Sequence, residues 1–428
     1  MECGTSRRRA RARFMRFTTL ITHEATFREV TNVQAIESDD GCDDDAQDAQ
    51  FACDGAFIVV RSRASLARVA SSARAVDTND HDARYVACAI ANVHGIRHTR
   101  MERAVAGAKI AMSARDVPVR VVDVASAAVV GAYRSYDHVD EIASALGVGW
   151  TADGEKVLCG TRDRVDAFDV RRPGRTAAAS ARTKTSQRGP ASACEGQPMT
   201  SSVFACLSYG GFDAIDCAVY DLRDERCALA FASGGSGGTC ARWSPCGNYL
   251  YVGARRSTKI KCVDVRYTGR CVYELERATG ETNQRVMFDV EPCGAHLISG
   301  DAEGYLRAYD LSRGVEILAE KVSEQCVNSF AFHPYAAVDD SCVTFGSSLV
   351  RGASTSGERV FAYDSDSSSS SSSSEDGDSS EPAFASDLDD DDTSSSTASL
   401  ARARVRLPSR RSLRLWNWPT RVVECHVG

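Results

Sequence analysis

A chain of 428 residues is too long for one small hydrophobic core, and is the length of two or three ordinary domains or of one closed repeat architecture. Hydrophobic residues make up 43%, with 32 Gly and only 10 Pro, so most of the chain can fold; no apolar run approaches the ~20 residues that span a bilayer, and no membrane partner is expected. The formal charge of −7 is uneven: residues 364–392 carry 11 Asp and Glu and residues 37–48 another 7, neither run has a Lys or Arg, and without those 18 the balance becomes +11.

The chain opens on MECGTSRRRARARFMRF, whose cluster Arg7–Arg9 with Arg11 and Arg13 fits a nuclear localisation signal, the start of a transit peptide or a disordered basic tail. The acidic run 37–48 follows, and residues 1–50 are expected to be a disordered tail. Short strand-forming segments rich in Val, Phe and Tyr then recur between Gly, Asp and Ser turns. Residues 55–72 suggest a first unit, and Tyr85-Val-Ala-Cys-Ala with Pro118-Val-Arg-Val-Val-Asp123 bracket another.

Three later segments align. They are VGWTADGEKVLCGTRDRVDAFDVRRPG (148–174), ARWSPCGNYLYVGARRSTKIKCVDVRYTG (241–269) and MFDVEPCGAHLISGDAEGYLRAYDLSRG (287–314). Each has an apolar strand, a turn ending in Gly (Gly154, Gly247, Gly294) and a second strand ending in Gly (Gly160, Gly253, Gly300). A third strand closes on Asp169, Asp264 or Asp310. The 47 residues from Gly247 to Gly294, and the 93 from Gly154 to Gly247, fit one and two units of the WD40 period of ~40–45. Residues 203–232 make a shortened unit that lacks its first strand unless 176–198 supply it. Asn328–Pro334 begins a last unit, whose third strand is Arg414-Leu-Trp-Asn-Trp418. The expectation is an all-β, WD40-type β-propeller of about seven blades. Its main part is 51–362, residues 363–400 form a disordered acidic, Ser-rich insertion in the last blade, and 401–428 supply the closing strands.

In such a blade, the loops between second and third strands share one face with the connections between blades. That rim receives Arg162, Arg255 and Arg256 with Lys259 and Lys261 nearby, Asp301, and the connections Tyr136–Glu141 and Thr282–Arg285. Loops on a rigid scaffold commonly carry binding residues, while Asp140, Glu141 and Asn283 suit blade-pinning networks as well.

The 17 cysteines contain no CxxC pair and several sit in apolar strands (Cys159, Cys206, Cys262), which points to small hydrophobes rather than a disulfide framework or zinc site. The eight His show no metal-ligand spacing. No GxSxG elbow is present, and Ser233-Gly-Gly-Ser-Gly-Gly-Thr239 lacks the Lys of a phosphate loop. No enzyme, metal or cofactor is expected.

Several stretches together resemble the telomerase Cajal body protein family: Tyr136-Asp-His-Val-Asp-Glu141, Leu158-Cys-Gly160, Arg172-Pro-Gly-Arg175, Gly253-Ala-Arg-Arg256, Thr282-Asn-Gln-Arg285 with Phe288-Asp289, and Gly357-Glu-Arg-Val-Phe361. The resemblance is strong from about 130 to 361, weaker back to about 55, and returns at Arg414–Trp418. It implies a non-enzymatic factor that binds box H/ACA small RNAs through their CAB box, in animals including telomerase RNA, and directs them to Cajal bodies. The implied partners are the dyskerin-type H/ACA core, telomerase and a chaperonin; the implied location is the nucleus and Cajal body with a cytoplasmic share. Arg162, Arg255, Arg256, Lys259 and Arg285 would hold phosphates or stack, Asn283 and Gln284 would read base edges, and Tyr136, His138, Asp140 and Glu141 would be rim structure. The acidic insertion would be either an indifferent spacer or a competitor with RNA for the rim. The alternative reading is a WD40 adaptor whose rim holds a protein.

Overall fold

Strand-forming segments separated by short turns pair with their sequence neighbours, and here they do so in groups of four. The computed structural model describes residues 17–20, 28–33, 47–52, 57–61, 66–70, 86–88, 95–104, 109–267, 269–334, 348–356 and 412–424. They form seven antiparallel sheets, one per blade. The innermost strands, in chain order, are Asp48–Phe51, Ile96–Met101, Gly147–Trp150, Ala191–Gly196, Gly238–Trp243, Phe288–Val290 and Val327–Phe332. Each packs against the next, and the last returns to the first, where the Ala49 amide donates to Ser329 Oγ at 3.0 Å. This closed ring of seven sheets is a WD40-type β-propeller.

The repeat signature has physical causes. The Gly that ends each second strand lies against the next blade: a Cβ on Gly300 would stand 2.2 Å from the Val327 carbonyl oxygen, and one on Gly160 would stand 2.7 Å from Ala191 Cβ. Gly300→Ala is therefore expected to cost about 1–3 kcal/mol through forced separation of blades six and seven, read by chemical denaturation. An unchanged midpoint would contradict that packing. The Asp that ends each third strand accepts the amide two residues on, from Arg171, Arg266 and Ser312 at 2.8–3.0 Å, and so fixes the turn into the fourth strand. Between blades, apolar layers close around fully buried Phe168, Phe204 and Phe288. Each such ring contributes about 1.5–3 kcal/mol by burial. Cys159, Cys194 and Cys206 lie in these layers, and burial pushes the Cys159 thiol well above its usual range.

One open alternative closes and two expectations change. Blade four is complete, because residues 176–198 carry two strands: Ala179–Arg182 ends blade three, and Ala191–Gly196 is the inner strand of blade four. Residues Val86–Cys88 end blade one instead of beginning blade two, since they pair with Leu66–Ala70. Within the segment expected to be a tail, Phe17–Leu20 and Arg28–Val33 pair as strands with Ser412–Glu424. Among the described residues the last blade has three strands of its own, and the β-branched run Val30, Thr31 and Val33 is suited to the open edge. The acidic insertion and the basic N-terminal cluster lie outside the described residues.

Candidate RNA-binding rim

The second-to-third-strand loops and the blade connections meet as the topology requires. The Arg255-Arg256 turn of blade five is stitched to the connections on both sides. Arg255 N donates to Gly237 O (3.0 Å), Ser236 N to Arg255 O (2.9 Å), and Arg256 N to Thr282 O (3.1 Å). Around the rim, the Asp163 carbonyl beside Arg162 accepts from Thr183 N (2.9 Å), so the blade-three turn is held to the following connection in the same way.

At the centre of this arc is a residue that sequence reasoning missed. Tyr209, in the blade-four loop, lies beneath the Arg255 guanidinium, whose carbon stands 4.0 Å from the ring centroid. Arg285 approaches the same ring at 5.5 Å, donates Nε to the Tyr209 hydroxyl (2.8 Å), and donates Nη2 to that hydroxyl and to Ser192 O (3.0 Å). Arg255 Nε and Arg285 Nη1 are buried without a hydrogen-bond partner among the described residues. Burial first, and then the charge of Arg285, holds the Arg255 pKa below its ordinary value, against an upward pull from Tyr209. No carboxylate of the described residues acts on Arg255 there. Two guanidiniums thus share one aromatic ring, each with a buried N–H left unpaired among the described residues.

The surrounding surface extends this chemistry. Phe212 and Ile215 of the same loop are exposed, at 61% and 48%, and the Ile215 carbonyl accepts from the amide of the exposed Arg188 (2.8 Å). The sequence signal for them is the Tyr-Gly-Gly-Phe turn after the second strand of blade four, concealed because the small-residue strand that opens the blade carries no strong pattern of its own.

The sequence-derived candidates separate into groups. Arg256 and Asn283 are exposed beside the Tyr209 cluster; Gln284 is half-buried, its backbone amide donating to Thr282 Oγ1 (3.0 Å) while its Oε1 is buried without a partner among the described residues. Arg162 is exposed on the same rim but in blade three. Arg285 is buried, only 7% exposed, and reaches inward to Ser192 O on the inner strand of blade four. Lys259 is drawn away, its ammonium 2.5 Å from Glu274 on the outer strand of blade five. Lys261 donates to Ala232 O (3.2 Å), and Asp301, wholly buried, accepts from the amides of Glu303 and Tyr305 and from Arg307 Nε (2.8 Å).

The Tyr136–Glu141 connection is a self-supporting turn. Asp137 Oδ1 accepts from the amides of Val139 and Glu141, both at 2.9 Å, and the Glu141 hydrogen bond leads in holding its carboxyl below the usual range. Arg175, from the Arg-Pro-Gly-Arg stretch, covers the Tyr136 ring at 4.5 Å and pairs with Asp140 at 3.0 Å, while Arg164 donates to Tyr136 O. Two motifs well separated in sequence thus meet at one edge; His138 is exposed beside them.

Toward the axis, His98 Nδ1 accepts from Val148 N (3.0 Å). Burial first, then Arg285, Arg61, Arg100 and Arg242, holds its pKa well below 6.5. A folded-state value below the unfolded one stabilises above about pH 6.5 and is lost as pH falls. Stability is expected to fall by up to about 1.4 kcal/mol per pH unit below 6.5 from this site. His98→Asn, which keeps an acceptor, should flatten that component of a melting-temperature profile between about pH 7 and 5; an unaltered slope would contradict the assignment.

No protein-family model matches the chain. It is 30% identical over 262 residues to telomerase Cajal body protein 1 of Bos taurus, covering 59% of this chain and 45% of that one. The Homo sapiens protein of the same name is 30% identical over 261 residues, covering 59% and 44%. A chain in a crystal structure of the mitotic checkpoint complex superposes with a TM-score of 0.55 over 78% of this chain and 91% of its own, at 12% identity, which bears on the fold alone. The motif resemblance is borne out by relatives of that name in several species, and the chain spans about 45% of the length of the curated relatives it matches.

Proposed function

We propose that this WD40 chain, similar to the telomerase Cajal body proteins, is a non-enzymatic RNA-binding scaffold that takes the CAB-box loop of a box H/ACA small RNA on its rim. The observation that carries this reading is the Tyr209 cluster. Arg255 and Arg285 flank one ring with no carboxylate of the described residues acting on Arg255, and Phe212 stands exposed in the same loop as Tyr209. A loop RNA offers matching groups: phosphates for Arg255 and the exposed Arg256, splayed bases for the exposed Phe212 ring, and base edges for Asn283 or Gln284, with Arg285 holding Tyr209 in place from below. Association with telomerase and residence in Cajal bodies belong to the same proposal, supported by the relatives' name, and telomerase RNA as a client, assembly with the dyskerin-type core and chaperonin-assisted folding belong to it through the motif resemblance.

A protein partner on the same rim is the second reading, favoured by the apolar Phe212 and Ile215. Crosslinking followed by RNA sequencing separates the two. Enrichment of box H/ACA RNAs, with crosslinks mapping to the CAB box, supports the first; protein crosslinks at Phe212 without RNA support the second.

A further inference from the structure

At the mouth of the axis opposite the rim, the last residues of the inner strands form a collar: Phe51, Met101, Trp150, Trp243, Val290 and Phe332. Blade four has Gly196 at this place, where a Cβ would stand 2.3 Å from the Trp150 carbonyl oxygen. The collar encloses a cavity of about 480 Å³ to which all seven blades contribute, within the ~300–1,000 Å³ range of ligand sites. Both indole N–H groups are turned into the protein, Trp150 to Arg100 O (2.8 Å) and Trp243 to Glu195 O (3.0 Å), so the rings offer carbon to the cavity.

Beneath the collar lies a charged floor. Arg242 Nε is 3.0 Å from Asp289 and its Nη1 3.8 Å from Glu195; Arg100 pairs with Glu195; and Arg103, half exposed at the lip, reaches Asp289 at 3.2 Å. Glu291 on the wall is engaged by His296 Nδ1 at 2.6 Å. Three guanidiniums and three carboxylates therefore line the cavity, and Arg100 Nη1, on a side chain only 4% exposed, has no hydrogen-bond partner among the described residues.

We propose that this cavity is a second binding site, for a single carboxylate side chain carried on an apolar segment of a partner peptide. The carboxylate accepts from Arg103 and from the Arg100 guanidinium, whose Nη1 has no other partner among the described residues, while its apolar neighbours cover the Trp150 and Trp243 faces. An RNA strand fits worse, because a phosphate chain entering here meets Glu195, Asp289 and Glu291 after its first charge is matched. The site lies at the end of the axis away from the rim, so it leaves the rim open.

The test uses the full chain and two fluorescein-labelled hexapeptides with blocked ends, Gly-Leu-Phe-Glu-Phe-Gly and the same peptide with Gln for Glu, read by fluorescence anisotropy. The Glu peptide is expected to bind at least tenfold more tightly. Arg103→Gln removes that preference and Arg256→Glu does not. Ala152→Trp, which narrows the mouth without altering the charges, weakens both peptides. Melting temperature serves as the folding control for every variant. Equal binding of the two peptides, binding of neither, or tighter binding of oligouridylate that Arg103→Gln abolishes would each overturn the proposal, the last in favour of RNA.

Discussion

Replacing Arg255 and Arg256 together with glutamate is expected to weaken binding of a box H/ACA hairpin by at least roughly 30-fold, taking about 1 kcal/mol for each cation removed. The two residues contribute differently. Arg256 lies at the surface of the turn, so its exchange alone should cost affinity while leaving the melting temperature in place. Arg255 is stacked on Tyr209 and largely desolvated, so a glutamate there also places a carboxylate against an aromatic face and loosens the turn. A cation that meets phosphate also shows in the salt dependence, and the slope of log affinity against log salt should shallow by about 0.7 for each phosphate left unneutralised. Tyr209→Phe provides an internal contrast: the ring under Arg255 remains, but the hydroxyl that holds Arg285 is gone. If the double variant bound the hairpin as the parent does, at any salt concentration, the rim would not be the RNA site.

Much of this arrangement was legible in the sequence, for reasons visible in particular residues. Gly160, Gly253 and Gly300 recur because a neighbouring blade excludes a side chain, and Asp169, Asp264 and Asp310 recur because each ties the next turn. Such constraints repeat with the blade and so give a period. The placement of Arg162, Arg255 and Arg285 on one rim followed from strand alternation alone. What was hidden depends on distance in space. Nothing local in Thr-Asn-Gln-Arg indicates that Arg285 turns inward across blade five to Ser192 and Tyr209. Lys259 and Lys261 read as part of a basic cluster, yet alternation along a strand cannot reveal that Glu274 of the paired strand engages Lys259. The inner strand of blade four was concealed by composition: Ala-Ser-Ala-Cys-Glu-Gly has weak strand propensity and is held by its neighbours, Gly196 fitting only because the Trp150 carbonyl leaves no room for a side chain.

Asp289 shows the same rule at its most consequential, and its removal should be the most destabilising single change in the ring. It is 2% exposed, yet accepts from Arg242 (3.0 Å), from Arg103 (3.2 Å) and from the Phe332 amide (3.1 Å), joining blades two, five, six and seven. Burial alone would raise its pKa, but Arg103, Arg242 and Arg100 outweigh burial and hold it below the ordinary value. The carboxylate therefore stabilises at neutral pH, and that contribution is lost as pH falls below about 4 through the folded-state value. Asp289→Ala leaves Arg242 and Arg100 buried with Glu195 as the one carboxylate still pairing with them among the described residues, and should cost about 3–5 kcal/mol, a fall of roughly 5–10 °C in melting temperature. Arg103→Gln should cost less than about 1 kcal/mol, because Arg103 is 53% exposed and water replaces much of what it gives up. The double variant Arg242→Met with Asp289→Leu should be more stable than Asp289→Ala, since it removes the orphaned charge along with its partner. A single Asp289→Ala loss below about 1 kcal/mol, or a double variant no better than the single, would mean that the ladder of charges does not hold the inner ring together and that apolar packing between blades does so alone.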